Sequence, residues 1–98
     1  MSFTLKFTEQ GDSDLGELQK ARSKQGILKA VQKCLGYLEV NPKHPSLKTH
    51  KFNSLTGPNG EDVFEAYAQN NTPGAYRVFW CYGPAAKEIT IIAITPHP

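Results

Sequence analysis

At 98 residues and 10.9 kDa the chain has room for one domain, spanning 1–98, which at this size buries roughly 60–70% of its unfolded surface without needing staples. Its hydrophobic content, 39%, is gathered into periodic blocks, which argues against disorder, and no run approaches the ~18 apolar residues of a membrane span. The formal net charge is +2, but Lys20 to Lys51 holds eight basic residues against one acid, Glu39, while the remainder holds three basic and eight acidic residues; such asymmetry gives a face able to meet a polyanion.

In chain order, Phe3, Leu5 and Phe7 alternate with Thr4, Lys6 and Thr8, a period of two that predicts a strand with one buried face. Glu9–Ser13 reads as a turn. Asp14 followed by Glu17 has the spacing of a capping box and predicts a first helix from about Asp14 to Arg22. Ile27, Leu28, Val31, Leu35 and Leu38 recur at three- and four-residue spacing, which predicts a second, amphipathic helix ending at Asn41-Pro42. The two helices are expected to form a hairpin on one sheet face.

Residues 42–61 read as a loop punctuated by Pro42, Pro45, Gly57, Pro58 and Gly60, with Leu47, Phe52 and Leu55 pinning it to the core and Asn59-Gly60 a strong turn signal. Three strands follow, about Asp62–Gln69, Ala75–Tyr82 and Glu88–Thr95, joined by connections short enough for antiparallel hairpins. The expected fold is α+β in the order β-α-α-β-β-β, a helical hairpin on a small, mostly antiparallel sheet.

Alternation along the strands separates two faces. Tyr76, Val78, Trp80 and Tyr82 are expected under the helices with Phe64, Ala66 and Ala68. Arg77 then points the other way, with Glu65 and Tyr67 beside it. A guanidinium among aromatic and β-branched neighbours keeps its charge and needs an anion. That anion is either Glu65, in a cross-strand pair, or a ligand in an open cleft, for which a phosphate suits the planar fork best. Cys34 and Cys81 lack metal-type spacing and read as buried reduced thiols. Likewise His44, His50, His97 and Cys81 show no ligand spacing, so neither a metal nor another cofactor is expected. Met1–Thr8 alternates and has no signal-peptide core, which makes the cytoplasm the expected location.

Leu47-Lys48-Thr49-His50-Lys51-Phe52 running to Leu55-Thr56-Gly57, then Val63-Phe64-Glu65-Ala66-Tyr67, then Ala75-Tyr76-Arg77-Val78-Phe79-Trp80, then a closing strand before His97, together resemble the RelE/ParE superfamily of bacterial toxins. The resemblance covers about residues 42–97 in motifs and the whole chain in element order. It implies the toxin of a toxin–antitoxin pair, a metal-independent endoribonuclease cleaving messenger RNA at the ribosome, neutralised by an antitoxin protein. The alternative it leaves open is a non-catalytic module of the same fold, either a gyrase-poison-like protein or a degenerate toxin.

By position the resemblance gives Arg77 the phosphate and His97 the role of acid. His50 could serve as base, Lys43, Lys48 and Lys51 as phosphate contacts, Tyr67 as a base-stacking ring, and Glu65 as an orienting or structural partner of Arg77. Tyr82 is a second ring able to stack. The chain departs from the pattern at Ala75, where many ribonuclease members carry an acid, and in the strand Glu88–Thr95, which holds no basic residue. It also lacks a C-terminal helix.

Overall fold

The computed structural model describes residues 2–70 and 72–97. Elements run β1 (Thr4–Phe7), α1 (Glu9–Lys20), a 3-10 turn (Arg22–Lys24), α2 (Gln25–Val40), a second 3-10 turn (Pro45–Leu47), β2 (His50–Thr56), β3 (Asp62–Tyr67), β4 (Tyr76–Tyr82) and β5 (Glu88–Pro96). The five strands form one sheet in the order β1-β5-β4-β3-β2, with β1 parallel to β5 and every other pair antiparallel. The expected α+β fold, with two helices on a mostly antiparallel sheet, is the one observed.

Two sequence expectations fail locally. The first helix begins at Glu9, not Asp14, so the expected turn at Glu9–Ser13 is helical. Thr8 is the cap: its hydroxyl accepts from the Gly11 amide at 3.0 Å and donates to the Ile92 carbonyl at 2.9 Å, fixing the helix start to β5. Asp14 lies inside the helix and has a tertiary task instead. Its carboxylate accepts from the Ile94 backbone N–H at 2.9 Å, close to the β-bulge at which the β4–β5 register shifts between Phe79 and Trp80. An intrahelical cap and a long-range acceptor use the same residue type, and spacing cannot tell them apart.

The second failure is β2, which occupies His50–Thr56 within the expected 42–61 loop. It is an edge strand, almost wholly exposed, so it lacks the alternating apolar face by which a strand is recognised. Its hairpin to β3 turns at Gly57–Gly60, where Gly60 takes φ +87°. The Asn59 backbone N–H donates to Glu61 Oε1 at 2.8 Å, and that bond holds the Glu61 carboxyl below its ordinary range.

The core lies between the helices and one sheet face. Leu18, Val31, Cys34, Leu35 and Leu38 of the helices pack against Ala66, Val78, Trp80, Ile89, Ile91 and Ile94, with Phe64, Ala68 and Tyr76 at the margins. This is the face expected for Val78 and Trp80. A fully buried Val, Leu or Ile contributes about 1.5–3 kcal/mol. α1 approaches β5 so closely at Gly11 that a Cβ there would sit 2.5 Å from the Ile91 carbonyl oxygen.

Candidate active site

The opposite sheet face carries Val63, Glu65, Tyr67, Arg77, Phe79 and Cys81, and register decides which of them meet. Glu65 is paired directly with His50 on β2 and with Phe79 on β4, and Tyr67 is paired with Arg77. Arg77 is therefore diagonal to Glu65 and within reach of a long side chain.

Glu65 is the centre. Its side chain is 1% exposed, and two half-exposed imidazoles converge on it: His50 Nε2 lies 2.7 Å from Oε1 and His97 Nδ1 lies 2.9 Å from Oε2. His50 is delivered by the first residue of β2. His97 is held just past β5, where its backbone N–H donates to the Ala75 carbonyl at 2.7 Å. Two strands and a residue just past a third are needed to build this cluster, which explains why no sequence spacing announces it.

The hydrogen-bond partners of the two rings differ. His50 has acceptors at both nitrogens, Glu65 at Nε2 and the Lys48 carbonyl 3.2 Å from Nδ1. His97 needs only an Nδ1–H to satisfy Glu65, and among the described residues its Nε2 has no partner. Donor and acceptor roles at each ring follow its tautomer. His50 is thus engaged at both ring nitrogens and His97 at one.

Arg77 does not project into an open cleft, and that expectation is corrected. The residue is 7% exposed. Its guanidinium carbon lies over the Tyr67 ring, 3.7 Å from the centroid. Nη1 donates to the Gln69 carbonyl at 2.7 Å and more weakly to the Tyr76 carbonyl at 3.4 Å. Yet the group is not saturated: Nε stands 3.6 Å from Glu65 Oε2, too far for a hydrogen bond, and has no other partner among the described residues. The aromatic neighbour that strand alternation puts beside it is the reason. Tyr67 sits directly across the ladder and covers the charge by stacking, a geometry open to Arg and not to Lys.

The remaining candidates divide. Lys48 adopts a left-handed conformation, φ 47° and ψ 39°, at the end of the second 3-10 turn, which brings its Nζ to 6.0 Å from the Tyr67 ring and the charge to the edge of the cluster. Lys51 points elsewhere and makes an exposed 3.4 Å ion pair with Asp62, a contact of little energetic weight. Lys43 lies on the helix-facing side, with Lys48 on the rim of a groove lined by aromatic rings. His44 is structural: it stacks on Tyr37 with centroids 4.1 Å apart, and its Nδ1 accepts from the Ser46 amide at 3.0 Å. Among the described residues no group of three or more His, Cys, Asp or Glu is placed to hold a metal ion, and no helix is long and apolar enough to cross a membrane.

No protein-family model and no curated protein sequence matches the chain. Solved structures do. The chain is similar to a chain of the archaeal RelE–RelB complex of Pyrococcus horikoshii, at 21% identity and TM-score 0.65, over 98% of this chain and 96% of that one. It is similar to a YoeB/ParE toxin from Agrobacterium tumefaciens at 12% identity and TM-score 0.70, over 97% and 99%. The toxin of the intact E. coli RelBE toxin–antitoxin complex aligns at 14% identity and TM-score 0.63, over 99% of both chains. The chain has the fold of the RelE/ParE toxins along its whole length.

Proposed function

We propose that this chain is the toxin of a toxin–antitoxin pair and acts in the cytoplasm as a metal-independent endoribonuclease on messenger RNA, at the ribosome. The observation that carries the proposal is the His50–Glu65–His97 cluster: two exposed imidazoles bound to opposite oxygens of one buried carboxylate. Cleavage of RNA by its own 2′-hydroxyl needs a base for the 2′ proton, an acid for the departing 5′ oxygen, and positive charge near the phosphorane. The products are a 2′,3′-cyclic phosphate and a 5′-hydroxyl end.

The hydrogen-bond pattern favours His97 as base and His50 as acid, the reverse of the roles that the family resemblance implies by position. His97 Nε2 takes the 2′ proton while Nδ1–H stays on Glu65. His50 releases the Lys48 carbonyl and turns its Nδ1–H to the leaving oxygen. Glu65 orients both rings. Arg77 supports the site from beneath, stacking on Tyr67 and offsetting the charge of Glu65, with its buried Nε turned to that carboxylate rather than to the substrate. Lys48 supplies the cation at the rim, Lys43 holds a flanking phosphate, Lys51 reaches one only by leaving Asp62, and Tyr67 offers its outer face to a base. The partner that silences the site is an antitoxin protein, as in the RelE–RelB and RelBE complexes that share the fold.

The test is cleavage of translated messenger in an active extract, with fragment ends mapped for cyclic phosphate. His97→Ala lowers the rate by about 10²–10⁴-fold, the span of one acid–base group, and leaves the fold intact because the side chain is half-exposed. Wild-type cleavage by His97→Ala, or intact messenger with the wild-type chain, overturns the proposal.

A second reading has one observation in its favour, the 7% exposure of Arg77. On that reading the Arg77–Glu65–Tyr67 group is a structural plug, and the chain is a non-catalytic module that acts through protein partners. Inhibition of gyrase supercoiling without any RNA cleavage would establish it.

A further inference from the structure

On the helix-facing side of the sheet a groove of about 530 Å³ opens beside the second 3-10 turn, and the catalytic cluster does not use it. Its walls are aromatic. Phe64, Trp80 and Tyr82 form a packed set, with Phe64–Trp80 centroids 5.1 Å apart, Trp80–Tyr82 4.9 Å and Phe64–Tyr82 5.9 Å. Tyr82 is 40% exposed, uncommon for so large an apolar ring. The rim is cationic, from Lys43 and Lys48. Two residues of the lining carry an unanswered polar atom: among the described residues Trp80 Nε1 and Thr49 Oγ1 are buried with no hydrogen-bond partner. Such groups are rare in folded chains and call for a reason.

A ring surface open at Tyr82 with two ammonium groups at the mouth describes the recognition chemistry of one nucleotide. The exposed Tyr82 ring takes a base and the lysines take its phosphates. The volume falls in the range of small-molecule sites. Lys48 joins this groove to the catalytic face: it lines the groove and also lies over Tyr67. An acidic peptide would satisfy the lysines but leaves the exposed Tyr82 ring without a planar partner.

We infer that the groove beside Tyr82 is a subsite for a single unpaired nucleotide of the RNA, next to the segment that crosses Lys48 to reach His50 and His97. The inference deepens the nuclease proposal and rests on it for the identity of the ligand, but its test does not depend on cleavage. Trp80 is the sole tryptophan, so its fluorescence and its indole N–H resonance report on this groove alone. Adenosine monophosphate and a short single-stranded oligoribonucleotide are titrated into the full chain. Saturable quenching, a downfield shift of the indole proton and tighter binding of the oligonucleotide are expected.

Tyr82→Ala weakens binding by about 5- to 150-fold, the range of one stacked base. Lys43→Glu, at an exposed position, weakens it and lowers the log–log salt slope by at least about 0.7. His97→Ala binds as tightly as wild type while losing cleavage, which separates the two ideas. Binding without any cleavage supports the subsite and sinks only the nuclease. The inference is overturned by the absence of saturable quenching, by unchanged affinity in Tyr82→Ala and Lys43→Glu, or by an acidic peptide that shifts the indole proton where the nucleotides do not.

Discussion

Replacing Glu65 by glutamine keeps the shape of the side chain and removes its charge, and the consequences follow from its three neighbours. The carboxylate receives His50 at 2.7 Å and His97 at 2.9 Å, and faces Arg77 Nε at 3.6 Å, with 1% of its surface exposed. Glutamine can accept from one imidazole but turns an N–H towards the other. One charge-assisted hydrogen bond is lost, about 1.5–3 kcal/mol. Stranding a buried cation costs about 3–5 kcal/mol in full, but Arg77 keeps the Gln69 carbonyl at 2.7 Å and its stack on Tyr67, which retains part of that. A net loss of about 2–4 kcal/mol is expected, roughly 10–25 °C in melting temperature for a domain of this size.

Urea unfolding of wild type, Glu65→Gln, Arg77→Met and the double variant measures both the loss and the coupling. Residues in one network couple by about 0.5–3 kcal/mol. A Glu65→Gln loss within ~0.5 kcal/mol of zero, or strict additivity with Arg77→Met, would refute the idea that a single buried carboxylate organises the site. Equal and large losses in both single variants would mark the Arg77–Glu65 contact as mainly structural.

Two further outcomes follow from packing and burial. Gly11→Ala drives a Cβ into the Ile91 carbonyl and is expected to cost about 1–3 kcal/mol despite alanine's better helix propensity. The control Gly36→Ala, exposed in α2 with nothing within 4 Å, is expected to stabilise by about 0.4–1 kcal/mol; calorimetry that gives the two the same sign contradicts the close approach of α1 to β5. Burial pushes the Cys34 thiol from its ordinary 9.0 up to about 12, so the folded chain binds more protons than the unfolded chain between those values. The stabilising contribution is present below pH 9 and is lost as pH rises towards about 12. Neither Cys34 nor Cys81, both buried, is expected to react with a thiol reagent until urea unfolds the chain, and labelling at the native rate of a free thiol would show the core to be open.

Much of the architecture was legible because periodicity reports burial. The 3.6-residue stripe from Ile27 to Leu38 marked α2, and the strict alternation of β4 correctly placed Val78 and Trp80 under the helices and Arg77 opposite them. β2 was missed because an exposed edge strand is held by backbone pairing, which leaves no pattern in side chains; only Asn59-Gly60 hinted at its hairpin. The start of α1 was misplaced because Thr8 and Asp14 are both plausible caps, and contact with β5 chose between them.

By itself, the sequence determined which side chains share a face, because alternation along a strand is a property of the chain. It could therefore put Glu65, Tyr67 and Arg77 together and foresee that a fixed cation would need an anion. Tertiary structure alone decided how far each was covered and what it touched. Register set Tyr67 across from Arg77 and hid the guanidinium, and the closing of β5 carried His97 back to a residue 32 positions earlier. Distances between strands are fixed by pairing partners that may lie anywhere in the chain, and no local spacing encodes them.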